Sequence, residues 1–182
     1  MTRSLQASRL NMQAFAQEGV PLVETTLLQN MERLAQEAQG LQPDSTVNWQ
    51  ARAELRAGSG AESDIWLHLQ ATTSIPLTCQ RCMGAVETPI AVEQWYRFVA
   101  SEDIAMAEDD QSEEDLLVMA PQFDLLAVLE DELLMALPLV PMHVQCPVAP
   151  VLSAGEIEVE GAPESAEKPN PFAVLAQLKK KN

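Results

Sequence analysis

Positive charge is what this sequence has least of. It carries 11 Lys and Arg against 27 Asp and Glu, a formal net of −16. A chain this acidic repels phosphate backbones at long range, and simple nucleic-acid binding depends on cations that replace counterions. Broad RNA binding by the chain alone is thereby disfavoured. A basic protein partner suits the field better; acidity that serves solubility alone is the other reading. Long apolar runs are missing as well. A membrane helix needs roughly 18 or more apolar residues, and the densest run, LLMALPLVPM, is short and twice broken by proline. No membrane association is expected. The opening MTRSLQASRLNMQ has no apolar segment of the kind a secretory leader requires. Three cysteines, an odd number, make no disulfide framework. The expectation is a reduced, cytoplasmic protein. Only two histidines occur, and no P-loop, GxGxxG, HExxH or nucleophile-elbow pattern accompanies them. Little is left from which to build an enzyme, and none is expected.

Apolar residues make up 47% of the 182, enough for one domain with a hydrophobic core. Aromatics, at 4%, are sparse. Residues 11 to 40 read as helix in two pieces, NMQAFAQEG and LLQNMERLAQEAQG, ending at Gly19 and Gly40. The second carries an amphipathic stripe of Leu27, Met31, Leu34 and Ala38. Between the two, VPLVETT reads as a short strand.

The period then changes from about 3.6 to 2. Val47, Trp49, Ala51, Ala53 and Leu55 alternate with polar residues. GSGAES makes a turn, and a second alternation runs from Ile65 through Leu67, Leu69, Ala71, Thr73 and Ile75 to Leu77. A third runs from Val86 through Thr88, Ile90, Val92, Gln94 and Tyr96 to Phe98. Three long strands with short connections predict an antiparallel meander with one face buried. The fold class expected is α+β: this meander, open or closed into a barrel, with N-terminal helices and a C-terminal amphipathic helix packed on it.

That later helix is PQFDLLAVLEDELLMALPLVP, with Asp124 as N-cap, Phe123 and Val128 as a hydrophobic staple, and Pro138 at its end. Leu126, Leu129, Leu133 and Leu137 mark its core stripe. Ahead of it, SEDIAMAEDDQSEED (101–115) holds eight acids and no base and reads as a solvated or disordered loop. The domain expected is 1–150. Residues 151–182 read as a flexible linker and a short helical tail, KPNPFAVLAQLKKKN, with Pro171 at the helix start.

The chemistry concentrates in SIPLTCQRCMGAVETPI. A redox C-x-x-C follows a strand and opens a helix that lowers its thiol pKa. Cys79 and Cys82 instead sit between two strand patterns, at a hairpin tip. C-x-x-C-x-G in a hairpin has the shape of a zinc knuckle, with Gly84 permitting the turn. Tetrahedral zinc needs two further ligands, and the suitably spaced candidates are His143 and Cys146 in PMHVQCPV. Together the four would make a closed, structural Cys₃His site. Only His68 is left over, on the polar face of its strand. The opposing readings are that the two pairs never meet, with His143 a plain surface histidine, or that they remain from a site no longer filled. For Glu130-Asp131-Glu132, consecutive helical positions fan over about 200° and cannot converge on one metal or proton. A solvated face is the reading there. The alternative to a non-catalytic protein is a metal-dependent enzyme built on the Cys/His cluster.

With LTCQRCMG, FDLLAVLEDELLMALPLVPMH and KPNPFAVLAQLKKK in this order, the chain resembles the bacterial YceD family, the large ribosomal RNA subunit accumulation proteins. The tail is similar to that of the proteobacterial branch, and the resemblance runs from about Arg9 to Lys181. It implies a non-catalytic role in making, processing or accumulating large-subunit ribosomal RNA. It also implies a partner: a basic protein of the large ribosomal subunit or an rRNA-processing enzyme. Direct RNA contact would fall at most on Lys168, Lys179, Lys180 and Lys181. Relatives outside the branch carry a cysteine-rich segment where this chain has His143 and Cys146, which supports their pairing with Cys79 and Cys82.

Overall fold

The computed structural model of the protein describes residues 6–58 and 63–148, which fall in one compact unit, Met1–Pro150. The expected linker and helical tail of 151–182, with Lys168 and Lys179 to Lys181, lie outside the described residues.

Helix α1 (Met12–Glu18) begins where the side chain of Asn11 accepts a hydrogen bond from Ala14 N at 2.9 Å. It ends at Gly19, whose φ of +63° takes the left-handed conformation that favours glycine. Strand β1 (Leu22–Leu27) follows, then a 3₁₀ turn and the short helix α2 (Glu32–Glu37). Strands β2 (Thr46–Ala57), β3 (Ser63–Thr78) and β4 (Ala85–Val99) are the three expected from the alternation. They and β1 form an antiparallel meander, β1-β2-β3-β4.

Period 2 decides which face is wet. Val47, Trp49, Ala51, Ala53, Leu67, Leu69 and Ile75 are buried on one face, against Phe15 and Met12 of α1, Leu34 of α2, and Leu125, Leu129 and Leu133 of helix α4 (Leu125–Met135). Asp124 caps α4 as expected, accepting from Ala127 N at 3.0 Å. The chain on either side is pinned by paired backbone bonds of 2.8 Å between Leu10 and Phe123.

Four readings need correction or addition. The second N-terminal helix is shorter than its stripe suggested, because β1 extends through Leu27 to pair with Thr46. Leu27 is thus extended and exposed, while Leu28, Met31 and Leu34 are buried. The acidic stretch 101–115 is solvated but is no loop. It folds as helix α3 (Glu102–Glu108), a 3₁₀ turn, and the start of strand β5 (Asp115–Val118). Ser101 caps α3, with Glu102 and Asp103 in its first turn facing the positive end of the helix dipole. Arg97 of β4 reaches Glu108 at 2.9 Å and Glu114 at 2.7 Å, which relieves the repulsion that composition implied. Burial alone would raise the Glu114 carboxyl, but the Arg97 bond and charge together with backbone N–H bonds outweigh it and hold it below the usual range.

The third is an addition to the expected antiparallel meander, which stands: β5 pairs parallel to β4 as an extra edge strand. The sheet is open. Among the described residues β1 and β5 each pair on one side only, and no barrel closes.

The fourth concerns the acidic triplet. Glu130 and Glu132 are not a solvated face. The Glu130 carboxylate accepts from the backbone N–H groups of Arg33 (2.8 Å) and Leu34 (3.1 Å), capping α2 from a different helix. Glu132 accepts from the hydroxyl of Tyr96 on β4. Asp131 alone points outward, paired with Arg33.

Candidate metal centre

The β3–β4 ladder runs one residue beyond Leu77, the last core residue of β3. Pairing runs without a break from Ile65↔Phe98 to Thr78↔Ala85, which places Cys79 at the first residue beyond the ladder. There the chain turns on two backbone bonds, Met83 N to Cys79 O at 2.8 Å and Cys79 N to Gly84 O at 2.9 Å. The left-handed residue of this turn is Met83, at φ +60°, and not the glycine. A Cβ on Gly84 would meet Cys82 Sγ at 3.6 Å, an ordinary contact. Gly84 is therefore not what permits the turn.

Helix α4 delivers the other half. It stops at Ala136, and residues 138–148 form no helix or strand. Leu139, Val140, Met142, Val144 and Val148 are exposed, so hydrophobic burial does little to hold this segment. It is tied down at the hairpin tip instead. Gln80 N donates to Pro141 O at 2.9 Å, and the Arg81 guanidinium donates to His143 O at 2.8 Å and to Cys146 Sγ at 3.0 Å.

The two pairs do meet. Cys79, Cys82, His143 and Cys146 offer ligand atoms that all lie within 4.8 Å of one another. Cys79 Sγ is 3.9 Å from Cys146 Sγ, and Cys82 Sγ is 3.4 Å from His143 Nδ1. Two sulfurs bound tetrahedrally to one zinc stand about 3.8 Å apart, given Zn–S bonds of about 2.3 Å. The donor set and spacing therefore fit a thiophilic ion, and three thiols with one imidazole favour zinc over a hard cation. Cys79 is fully buried; the other two cysteines are half-buried, and all three are free thiols.

Burial pushes the Cys79 thiol up, but N–H bonds from the His143, Cys82 and Arg81 backbones outweigh it and bring it down to about 5. Cys82 moves the other way. The Gly84 N–H lowers it, yet burial and the neighbouring Cys146 and Cys79 sulfurs prevail, and its pKa is raised. The tip thus carries one thiol ready to lose its proton and one that a cation must draw off.

Arg81 is the member that residue-type reasoning missed. Its only sequence signal is its place inside C-x-R-C. It lies over Cys146, and that sulfur raises its own pKa further. Three thiolates and a dication sum to −1, so a fixed positive charge at the rim balances a loaded site. His68, the leftover histidine, is elsewhere. It lies on the outer face of β3, stacked on Trp95.

Among the described residues no helix is long and apolar enough to cross a membrane. Residues 67–179 match the family described as "Large ribosomal RNA subunit accumulation protein YceD". A protein of that name from Haemophilus influenzae is 43% identical over 113 residues, which cover 59% of this chain and 61% of the relative. The match thus spans about three fifths of the relative's length. No solved structure matches the chain. The family match covers more than half the chain, including β4, β5, α4, β3 from Leu67 onward and all four cluster residues: the protein belongs to the YceD family of large ribosomal RNA subunit accumulation proteins.

Proposed function

We propose that this protein supports the accumulation of large-subunit ribosomal RNA as a non-catalytic binding factor. Its partner would be a basic protein, either of the large ribosomal subunit or of the rRNA-processing machinery. The observation that carries the reading is the family match over residues 67–179 together with the name of the 43% identical relative. The choice of a basic partner rests on the net charge of −16, which attracts cationic proteins and repels RNA. Free thiols suit a reducing compartment, and the site of action proposed is the cytoplasm.

Within this reading, Cys79, Cys82, His143 and Cys146 hold a structural zinc. The ion would supply a cross-link between the hairpin tip and the segment after α4. The catalytic alternative draws no support from the arrangement, since four protein donors fill all the positions of a tetrahedral ion and leave none for water or substrate.

The test is the ratio of large- to small-subunit ribosomal RNA in cells depleted of the protein. A fall is expected, and it should be restored by the wild-type chain. An unchanged ratio would overturn the proposal.

A further inference from the structure

We propose that the outer face of the sheet is the docking groove for the basic partner, and that it takes an extended, arginine-bearing segment with Trp66 and Trp95 as the platform for its guanidinium. This rests on the preceding reading of a basic protein partner and names the surface that would meet it.

Two of the chain's three tryptophans lie on the solvent face of the sheet. Trp95 of β4 is the register partner of His68 on β3. Their rings stack at 4.1 Å with 8° between planes. Trp66 meets Trp95 edge-on at 6.4 Å. The guanidinium carbon of Arg56, from β2, sits 4.4 Å from the Trp66 ring and 4.2 Å from the Trp95 ring. Its Nε is held at 2.6 Å by Glu54. The two rings and the carboxylate thus already bind a guanidinium, and the chain supplies it. The site's ligand chemistry is displayed in cis.

Beside this cluster the sheet face hollows into a groove of about 480 Å³, lined among others by Thr25, Asn48, Gln50, Gln70 and Glu93. Its amides and hydroxyls can exchange hydrogen bonds with a peptide backbone. The Glu93 carboxylate, already bonded to Gln70 and His68, offers negative charge within the groove.

Nucleic-acid bases would also stack on such rings. Their phosphates, however, would face Glu54, Asp64 and Glu93 on the same surface. Arg56 is bound to Glu54, Arg97 to Glu108 and Glu114, and the whole chain carries −16. Charge complementarity selects a cationic peptide over RNA. An incoming arginine must displace Arg56, so the chain's own side chain acts as a competitor.

The experiment uses the full chain and three labelled probes: an alternating arginine–serine peptide, its lysine counterpart, and oligouridine, each followed by fluorescence anisotropy. The arginine peptide should bind, and the lysine peptide more weakly, because ammonium lacks the planar face that stacks on indole. Trp66→Ala and Trp95→Ala should each weaken binding by about tenfold. Arg56→Ala should tighten it, an outcome that a purely sheet-stabilising role for the cluster would not give. Should a tryptophan variant unfold, Glu93→Lys at its exposed position reads the same groove and should weaken binding. Preference for oligouridine, unchanged affinity in the tryptophan and Glu93 variants, or weaker binding by Arg56→Ala would each overturn the proposal. So would self-association of the chain through this face in place of peptide binding. A fall in large-subunit RNA on depletion, with no peptide binding, would discard this surface and leave the functional reading intact.

Discussion

Cys82 Sγ stands 3.4 Å from His143 Nδ1 across 61 residues of sequence, and the contact joins a strand hairpin to a segment without regular structure. Hydrophobic burial does not account for it, since Leu139 and Val144 on either side of His143 are essentially fully exposed. The donor set fits the shared cation proposed above, which would supply the missing tie.

Purified protein is therefore expected to carry one zinc per chain. Cys79→Ser, which removes the fully buried ligand, should weaken zinc binding by at least about a hundredfold, since losses outside the ligand shell alone reach that size. The same variant should free residues 139–148 for protease attack. Metal analysis alongside limited proteolysis checks both. Metal loss without new cleavage would show that the Gln80 backbone bond and the Arg81 guanidinium bonds suffice to hold the segment.

Arg81 bonds a ligand sulfur and a ligand's carbonyl with one planar group. Arg81→Ala should lower zinc affinity by about 10- to 100-fold, measured by competition with a chromogenic chelator. Arg81→Lys should recover only part of the loss, because an ammonium keeps the charge but lacks the fork that reaches both atoms.

Glu130 is a test of the helix pair. Its side chain is only 13% exposed, and it accepts two backbone N–H bonds at the start of α2. Those donors have no partner within their own helix. Glu130→Ala should cost about 1–2 kcal/mol of unfolding free energy, the range of a lost N-cap, read by denaturant titration. Asp131→Ala, which removes an exposed pair partner, should change stability by less than about 0.5 kcal/mol.

The long strands were legible because alternation reports burial directly, and Val47 through Ala53 and Ile65 through Leu77 lie where the period put them. The four cluster residues were legible by chemistry, as few other thiols or imidazoles existed to pair with them. Glu130, Glu132 and Arg81 were not, because each acts on a residue dozens of positions away, and a carboxylate's partner leaves no local pattern. The acidic stretch misled for the same reason: two of its eight acids, Glu108 and Glu114, are paired from β4 by Arg97, and composition registers only the sum. Strand β5 is four residues long, too short for a period to declare itself. The glycine of the knuckle was an assumption about turns that Met83 contradicts.

Tyr96, the chain's single tyrosine, carries a pH prediction of its own. It is 2% exposed. Burial, reinforced by the hydrogen bond to Glu132 and by nearby Asp115 and Asp131, raises its pKa well above the ordinary value. In the unfolded chain the phenol ionises near about pH 10, so above that pH the unfolded state loses a proton that the folded state keeps. Stability from this group is therefore full below about pH 10 and falls as pH rises beyond it. Phenolate absorbance should stay silent through that range and appear only with unfolding, in one cooperative step with the loss of circular dichroism. Tyr96→Phe should abolish the absorbance change and remove this part of the alkaline dependence. It should also lower neutral-pH stability by about 1.5–3 kcal/mol, the range for a hydrogen bond to a charged group. A phenolate signal that rises near pH 10 with the fold intact would mean that Tyr96 and Glu132 part readily, and that α4 sits less firmly on β4 than their contact indicates.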